Sequence, residues 1–343
     1  GAARAKGGAE GKRKKTKEEE EDEILFARAE REWGQLPSHA LVDKSDQANA
    51  VMPEQKTKVS YADFFLGYEE ALEFFRDTDL SQHAASIVLR TPPKGCFAAL
   101  RARLLGPLEL TSEDMKRDRE VALCIAKTAL GQGVVKNDTP SHAAGNTDAG
   151  FMHLRMLQTV FAQLTGDKNK AAARIGGHWE RVGFQGQDPA TDLRDLGMFS
   201  VLQMVYLVNK HLAQIKTVFK FSAEDPAFPS SQGHGYPFSL LCIAVSKLCL
   251  ASVRNGTLIP AVNKNGSFFT VANKFTAGVL IEFHKHWVTK GCSVTGGDFQ
   301  SAIEAVSARA TSSPDAMLSA SEGRVYQPPR ETGVDEGQGF AEF

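Results

Sequence analysis

The sequence predicts an all-α protein, and three observations carry that reading. Apolar residues recur at helical spacing through several long segments. Two-residue alternation, the mark of a half-buried strand, is convincing nowhere. The helical patterns are bounded by start and stop residues: Ser112 ahead of one, and Gly131, Gly166, Gly256 and Gly291 behind others. The predicted layout is a charged, low-complexity arm over residues 1–58 with a short amphipathic helix, then a helical segment over 59–110. A single multi-helix domain over 111–310 follows, and then an extended tail over 311–343.

Taken in order, the arm begins with a basic run, Lys12, Arg13, Lys14, Lys15 and Lys17, followed by six consecutive acids from Glu18 to Glu23. Such a block reads as a nuclear-localisation or anionic-surface contact, or as a solvated tail, partly helical through Lys14/Glu18 and Lys17/Glu21. Residues 24–33 are amphipathic and supply an apolar anchor for docking. Tyr61, Phe64, Phe65, Tyr68, Leu72 and Phe75 then fall on one helical face, either core or a groove for a partner helix. Pro92 and Pro93 interrupt the chain before a short helix around Cys96–Leu105.

Ser112 caps a helix expected to run to about Leu130. A loop over 131–147 leads to a helix over about Ala149–Leu164. Further helices are expected over Asp192–Leu212, from Pro237 to Asn255, over Ser267–Lys290 and from Asp298 to about Arg309. The Ser-, Pro-, Gly- and Glu-rich end predicts an extended tail.

Composition excludes some functions. The net charge of -1 argues against nucleic acid as a partner. The longest apolar stretch, Phe238–Val253, contains Lys247 and is too short for a transmembrane segment. The charged N-terminus has no apolar h-region, so no signal peptide is expected. The five cysteines form no C-x-x-C pair and read as buried thiols of a reducing compartment, with Cys242 and Cys249 on one helix face. The expected localisation is cytoplasmic, with cytoskeletal or ciliary association open.

The usual catalytic motifs are missing too. No G-x-x-x-x-G-K-[ST] loop, G-x-G-x-x-G turn or G-x-S-x-G elbow occurs. His284 and His286 project about 200° apart on a helix and cannot chelate one ion together. Glu282 and His286 share a face and read as a helix pair rather than a metal site. His178, beside Trp179, reads as a packing or capping residue. No metal and no cofactor are expected.

One stretch is unusual, from Trp179 to Gly197: W-E-R-V-G-F-Q-G-Q-D-P-A-T-D-L-R-D-L-G. It reads as a loop that delivers a helix. Gly183 and Gly186 bracket Phe184 and Gln185 and allow a tight path, and Asp188-Pro189 starts a turn. Thr191 or Asp192 then caps a helix whose apolar face includes Leu196, Phe199, Leu202 and Tyr206. Arg194 falls in the first turn of that helix, where the dipole disfavours a cation, so something other than helix stability has placed it there.

This stretch resembles the signature of the ELMO (engulfment and cell motility) domain, W-x-x-[IV]-G-F-Q-G-x-D-P-x-T-D-F-R-G-x-G. Gly235-Tyr236-Pro237-Phe238 and the Phe275–Trp287 helix resemble later blocks of the same family. The resemblance covers about half of the chain and implies an all-helical ELMO domain. It further implies GTPase activation of Arf or Arf-like small GTPases, with Arg194 as the catalytic arginine. Trp179, Gly183, Phe184, Gln185, Gly186, Asp188, Pro189, Thr191 and Asp192 would shape the loop. GTP and Mg²⁺ would belong to the partner. The engulfment adaptors of the superfamily lack this arginine, so the alternative is a non-catalytic scaffold or structural subunit of a large cytoskeletal, ciliary or other assembly. Two positions depart from the signature: Leu193 stands for Phe, and Asp195 stands for Gly. The competing role for Arg194 is a structural salt bridge to Asp188, Asp192 or Asp195.

Overall fold

A computed structural model describes residues 61–84, 109–131, 134–135, 149–169, 171–226 and 231–323. The basic and acidic runs, the 24–33 anchor and the helix expected around Cys96–Leu105 lie outside the described residues. Among the described residues the helices are α1 (Tyr61–Phe64), α2 (Tyr68–Asp77), α3 (Ser81–Ala84), α4 (Glu113–Ile125), α5 (Ala149–Thr165), α6 (Gly197–Lys210) and α7 (Leu212–Ser222). They continue with α8 (Phe238–Arg254), α9 (Ile259–Asn265), α10 (Phe268–Lys290), α11 (Asp298–Ser312) and α12 (Pro314–Ala320). The β structure is one antiparallel pair of two-residue strands, β1 (Thr78–Asp79) and β2 (Val134–Val135). The all-α class stands.

The core is built around α10. It is apolar on nearly every side, as a helix enclosed by its neighbours must be. Phe275, Phe283 and Trp287 are fully buried, and α8, α11 and α12 pack around it. Its ends follow local chemistry. The Ser267 hydroxyl accepts from Thr270 N at the start, and Gly291 closes the end in the left-handed conformation. Ser112 likewise caps α4, accepting from Asp114 N. No single described helix is long and apolar enough to cross a membrane.

Several helix boundaries differ from the sequence expectation, most of them for tertiary reasons. The aromatic helix breaks at residues 65–67. There Leu66 N donates to Thr159 Oγ1 (2.8 Å), and the Arg155 guanidinium donates to Phe65 O (2.8 Å). These bonds from α5 replace helical ones. Phe64, Tyr68, Leu72 and Phe75 are nevertheless buried, which places these four in the core and not in a partner groove. The α4 helix stops at Ile125 rather than near Leu130. Thr128 Oγ1 donates to Cys124 O (3.0 Å), and Thr128 O accepts from Met198 N (2.9 Å).

The helix expected over 192–212 starts only at Gly197, and a second one, α7, follows a break at His211. The His211 ring is held there by Gln214 Oε1 (2.9 Å) and Tyr206 OH (3.3 Å). Finally, residues 314–320, read from composition as tail, form α12. A Cβ placed on Gly278 would lie 1.7 Å from Met317 O, so α12 lies backbone to backbone against α10. Met317 is fully buried there.

Residues 61–84 are joined to this core by polar bonds as well as apolar contact. Asn273 Nδ2 donates to Tyr68 OH (2.5 Å), and Gln203 Nε2 donates to Asn273 Oδ1 (2.8 Å), all within the interior. Arg155 pairs with Glu70 (3.2 Å), and Arg76 grips both oxygens of Asp118 at 3.1 Å.

Candidate functional site

The Trp179–Gly197 stretch is a surface turn on a buried foundation. A 3-10 helix over Gly177–Val182 presents Trp179 inward, where it is fully buried. The indole N–H donates to the carbonyls of Ala173 and Arg174, both at 3.2 Å. The ring stands edge-on to Phe161 and Phe184, the latter also buried. His178 packs on the same Phe161 and Trp179 rings and bonds to Ala173 O (3.0 Å). Burial holds its pKa below the ordinary value, so the neutral imidazole is favoured.

Gly183 ends the 3-10 helix at φ +89°, a region that L side chains rarely adopt. A Cβ there would also come within 2.4 Å of Phe238 N. Gly183 O accepts from Leu240 N (3.3 Å), and Val182 O accepts from the Ser239 hydroxyl (2.7 Å). The loop thus sits on the first turn of α8 and satisfies an N–H that the helix leaves open. Two separate sequence blocks, around Gly183 and around Pro237-Phe238, meet at this contact.

Asp188 begins the next turn. Its carboxylate accepts from Ala190 N (2.8 Å) and is paired with the Arg174 guanidinium, while its carbonyl accepts from the Thr191 hydroxyl (2.8 Å). Burial opposes the charge of Asp188, but the Arg174 and Ala190 bonds outweigh it and hold the pKa below the ordinary value. Pro189, buried at the first position, suits a short 3-10 helix over Pro189–Thr191. Asp188 caps this short turn, whereas α6, expected to be capped by Thr191 or Asp192, begins after Leu196 with no side-chain cap. Asp192 instead reaches back across the loop, accepting from Gln185 N (2.8 Å). Gln185 is exposed, and Gly186 is half-buried.

Leu193 and Leu196 are both buried, at 2% and 3% exposure, and this forces the two residues between them outward. Arg194 and Asp195 are exposed. The smaller Leu193 fills the interior position where the signature has Phe. Arg194 Nε donates to Thr191 O (2.7 Å). Among the described residues no carboxylate lies within ion-pair reach of its guanidinium, so the salt bridges to Asp188, Asp192 or Asp195 are not formed. Nor does Arg194 stand in a helical first turn. The α6 helix opens at Gly197, at φ +47°, three residues beyond it, so helix-dipole repulsion does not bear on its position.

Arg174 was not legible as a member of this site. It precedes Trp179, and no spacing rule links it to Asp188. Ile175, next to it, is 60% exposed, the most exposed large apolar side chain among the described residues. The other sequence candidates resolve into structure. His284 is buried against Tyr236 OH (2.8 Å), and Glu282 pairs with Arg309 (2.6 Å) and Lys285 (4.0 Å) rather than with His286. Cys242 and Cys249 are buried free thiols on α8 whose pKa values burial pushes up. Among the described residues no cluster of His, Cys, Asp and Glu is placed to hold a metal. A concavity of about 350 Å³ between α2, α3 and α4 is lined by Phe75, Leu80, Val121 and Cys124, and by no residue of the turn. The site is a surface turn with Gln185, Arg194 and Asp195 exposed.

Comparison with known proteins agrees with the motif. Residues 148–302 match the ELMO/CED-12 family. ELMO domain-containing protein 3 from Mus musculus is 29% identical over 255 residues, 74% of this chain and 60% of the relative. Its Homo sapiens counterpart is 28% identical over 274 residues, 79% of this chain and 62% of the relative. ELMO domain-containing protein B from Dictyostelium discoideum is 26% identical over 162 residues, 47% of this chain and 54% of the relative. The chain thus spans about three fifths of the length of ELMO domain-containing protein 3 from mouse and human. No solved structure matches it.

Proposed function

Residues 148–302 match the ELMO/CED-12 family, and from that match we propose that the chain activates GTP hydrolysis by a small GTPase of the Arf or Arf-like class. Arg194 is the proposed arginine finger. The observation that carries this reading is an exposed guanidinium, held at Nε by Thr191 O and, among the described residues, not paired to a carboxylate, on a turn whose flanking leucines are buried. A guanidinium is always charged and forks onto phosphate oxygens. Inserted beside a bound nucleotide, it stabilises the charge that develops on the transferring phosphoryl group. Fingers of this kind contribute roughly 10³–10⁵ in rate. The GTP and Mg²⁺ are the partner's; this chain supplies the arginine and the surface around it, in the cytoplasm.

Asp195 favours a second reading, a non-catalytic scaffold in a cytoskeletal, ciliary or other assembly. Its exposed carboxylate adjoins Arg194 in sequence and would add negative charge beside a finger. Two like charges about 4 Å apart repel by roughly 1–4 kcal/mol near a protein surface. The deciding experiment is single-turnover GTP hydrolysis by a panel of Arf-like GTPases with wild type, Arg194→Lys and Asp195→Gly. The finger reading expects stimulation that Arg194→Lys abolishes and Asp195→Gly raises. Stimulation that survives Arg194→Lys refutes the finger; no stimulation by any of the three leaves the scaffold.

A further inference from the structure

We propose that Arg174, five residues ahead of the Trp179–Gly197 stretch, is a positioning residue for Arg194, holding the turn from which that guanidinium projects. The functional consequence rests on the finger reading above; the geometry does not.

The chain of contacts is short and continuous. The Arg174 backbone is fixed, because its carbonyl accepts from the buried Trp179 indole. From this anchor its guanidinium reaches Asp188 Oδ1, the same oxygen that accepts from Ala190 N. A charge-assisted bond of this kind fixes the carboxylate's orientation more strongly than a neutral one. The oriented carboxylate caps the Pro189–Thr191 turn. That turn aims the Thr191 carbonyl at Arg194 Nε. With the Arg174 charge removed, the Asp188 side chain, about one third exposed, is free to turn to water. The cap loosens, and the Thr191 carbonyl no longer holds Nε in one place. Asp192 does not replace this link, because its carboxylate is bonded to Gln185 N on the other side of the loop. Arg174 itself does not touch the partner's nucleotide in this arrangement; it acts through Asp188.

The test uses the full chain and two independent readouts. The first is the Arg194 Nε–H signal in a side-chain ¹⁵N spectrum, assigned by its loss in Arg194→Lys. Its exchange with solvent is expected to rise roughly five- to tenfold in Arg174→Gln, the factor that one hydrogen bond contributes. It is expected to stay near the wild-type value in Arg174→Lys, which keeps the charge. Arg181→Gln, at an arginine that lies over the Phe161 ring 5.7 Å away, serves as the control and leaves the signal unchanged. Wild-type exchange in Arg174→Gln overturns the proposal. So does an equal rise in Arg174→Gln and Arg181→Gln, which would mean general loosening of the loop.

The second readout is single-turnover hydrolysis by a responsive Arf-like GTPase. Here Arg174→Gln lowers the maximal rate and leaves the half-saturating concentration unchanged, the pattern of an interaction made only in the transition state. A loosened Arg194 signal with no GTPase responding even to wild type upholds the positioning role and refutes the finger. A responsive GTPase with an unchanged Arg194 signal in Arg174→Gln refutes the positioning role and leaves the finger to the Arg194→Lys comparison.

Discussion

Residues 61–84 and the turn around Arg194 invert each other. The turn was announced by its sequence and carries an exposed side chain; the earlier segment carries no signature motif and turns its aromatic face into the core. Yet both are fastened to the same core by similar means. The turn rests on buried Trp179, Phe184, Leu193 and Leu196. The segment rests on buried Phe64, Leu66, Phe74 and Phe75, and on the Tyr68–Asn273–Gln203 chain of hydrogen bonds. The match to the family spans 148–302, but α2, α4, most of α11 and the whole of α12 lie outside it and close the core. A recognisable signature marks where chemistry is placed. It does not mark where the folding unit ends.

The largest expected effect separates the two regions by function. Arg194→Lys should cut stimulated GTP hydrolysis by roughly 10³–10⁵ while leaving the urea unfolding midpoint unchanged, since the side chain is exposed. A shifted midpoint would make Arg194 part of the foundation, and the contrast would dissolve.

The next effect unites the regions by stability. Phe184→Ala and Phe75→Ala should each cost about 3–5 kcal/mol in chemical denaturation, the usual loss for a buried Phe. Should Phe75→Ala cost almost nothing, residues 61–84 would be an appendage and not part of the core.

Tyr68→Phe tests the polar link at finer grain. It keeps the ring against Tyr206 (centroids 5.1 Å apart) and removes only the acceptor for Asn273. Leaving that amide without its partner in the interior should cost about 1–3 kcal/mol. A neutral substitution would show that the hydroxyl is bystander to the packing.

The smallest effect belongs to Asp188. Its pKa is depressed in the folded state by the Arg174 and Ala190 bonds, which outweigh its burial. The stability it contributes is therefore full above the unfolded carboxylate value and disappears as pH falls through the folded one. Asp188→Asn keeps a cap and loses the ion pair, so at neutral pH it should cost about 0.2–1 kcal/mol, as exposed pairs do. The difference from wild type should shrink toward zero below the ordinary carboxylate range. A difference that grows on acidification would contradict the sign of the shift.

Much of the fold could be read from local signals, and the rest could not for identifiable reasons. The bounds of α8 and α10 follow from Pro237, Ser267 and Gly291, whose effects act within one turn of helix. The break at 65–67 could not be read, because the bonds that make it come from α5, 90 and 93 residues away in sequence. The late start of α6 has the same origin, since Thr128 O takes Met198 N. At the site, the turn at Asp188-Pro189 was legible because Asx and Pro act locally. The partners of Asp188 and Asp192 were not, because a carboxylate's choice among nearby donors is made by the folded loop.

The contact between Gly278 and Met317 bears on mutational tolerance. Every amino acid other than glycine carries the atom that would strike the Met317 carbonyl, at 1.7 Å. Neither rotamer choice nor side-chain polarity offers an escape, because the clash is with backbone. Substitution at 278 must either lift α12 away or distort α10 at its midpoint, exposing Met317 in the first case. In a saturation screen scored for folded protein, position 278 should therefore accept nothing. Chains that end before Pro314 should lose this intolerance, since the helix that imposes it is gone.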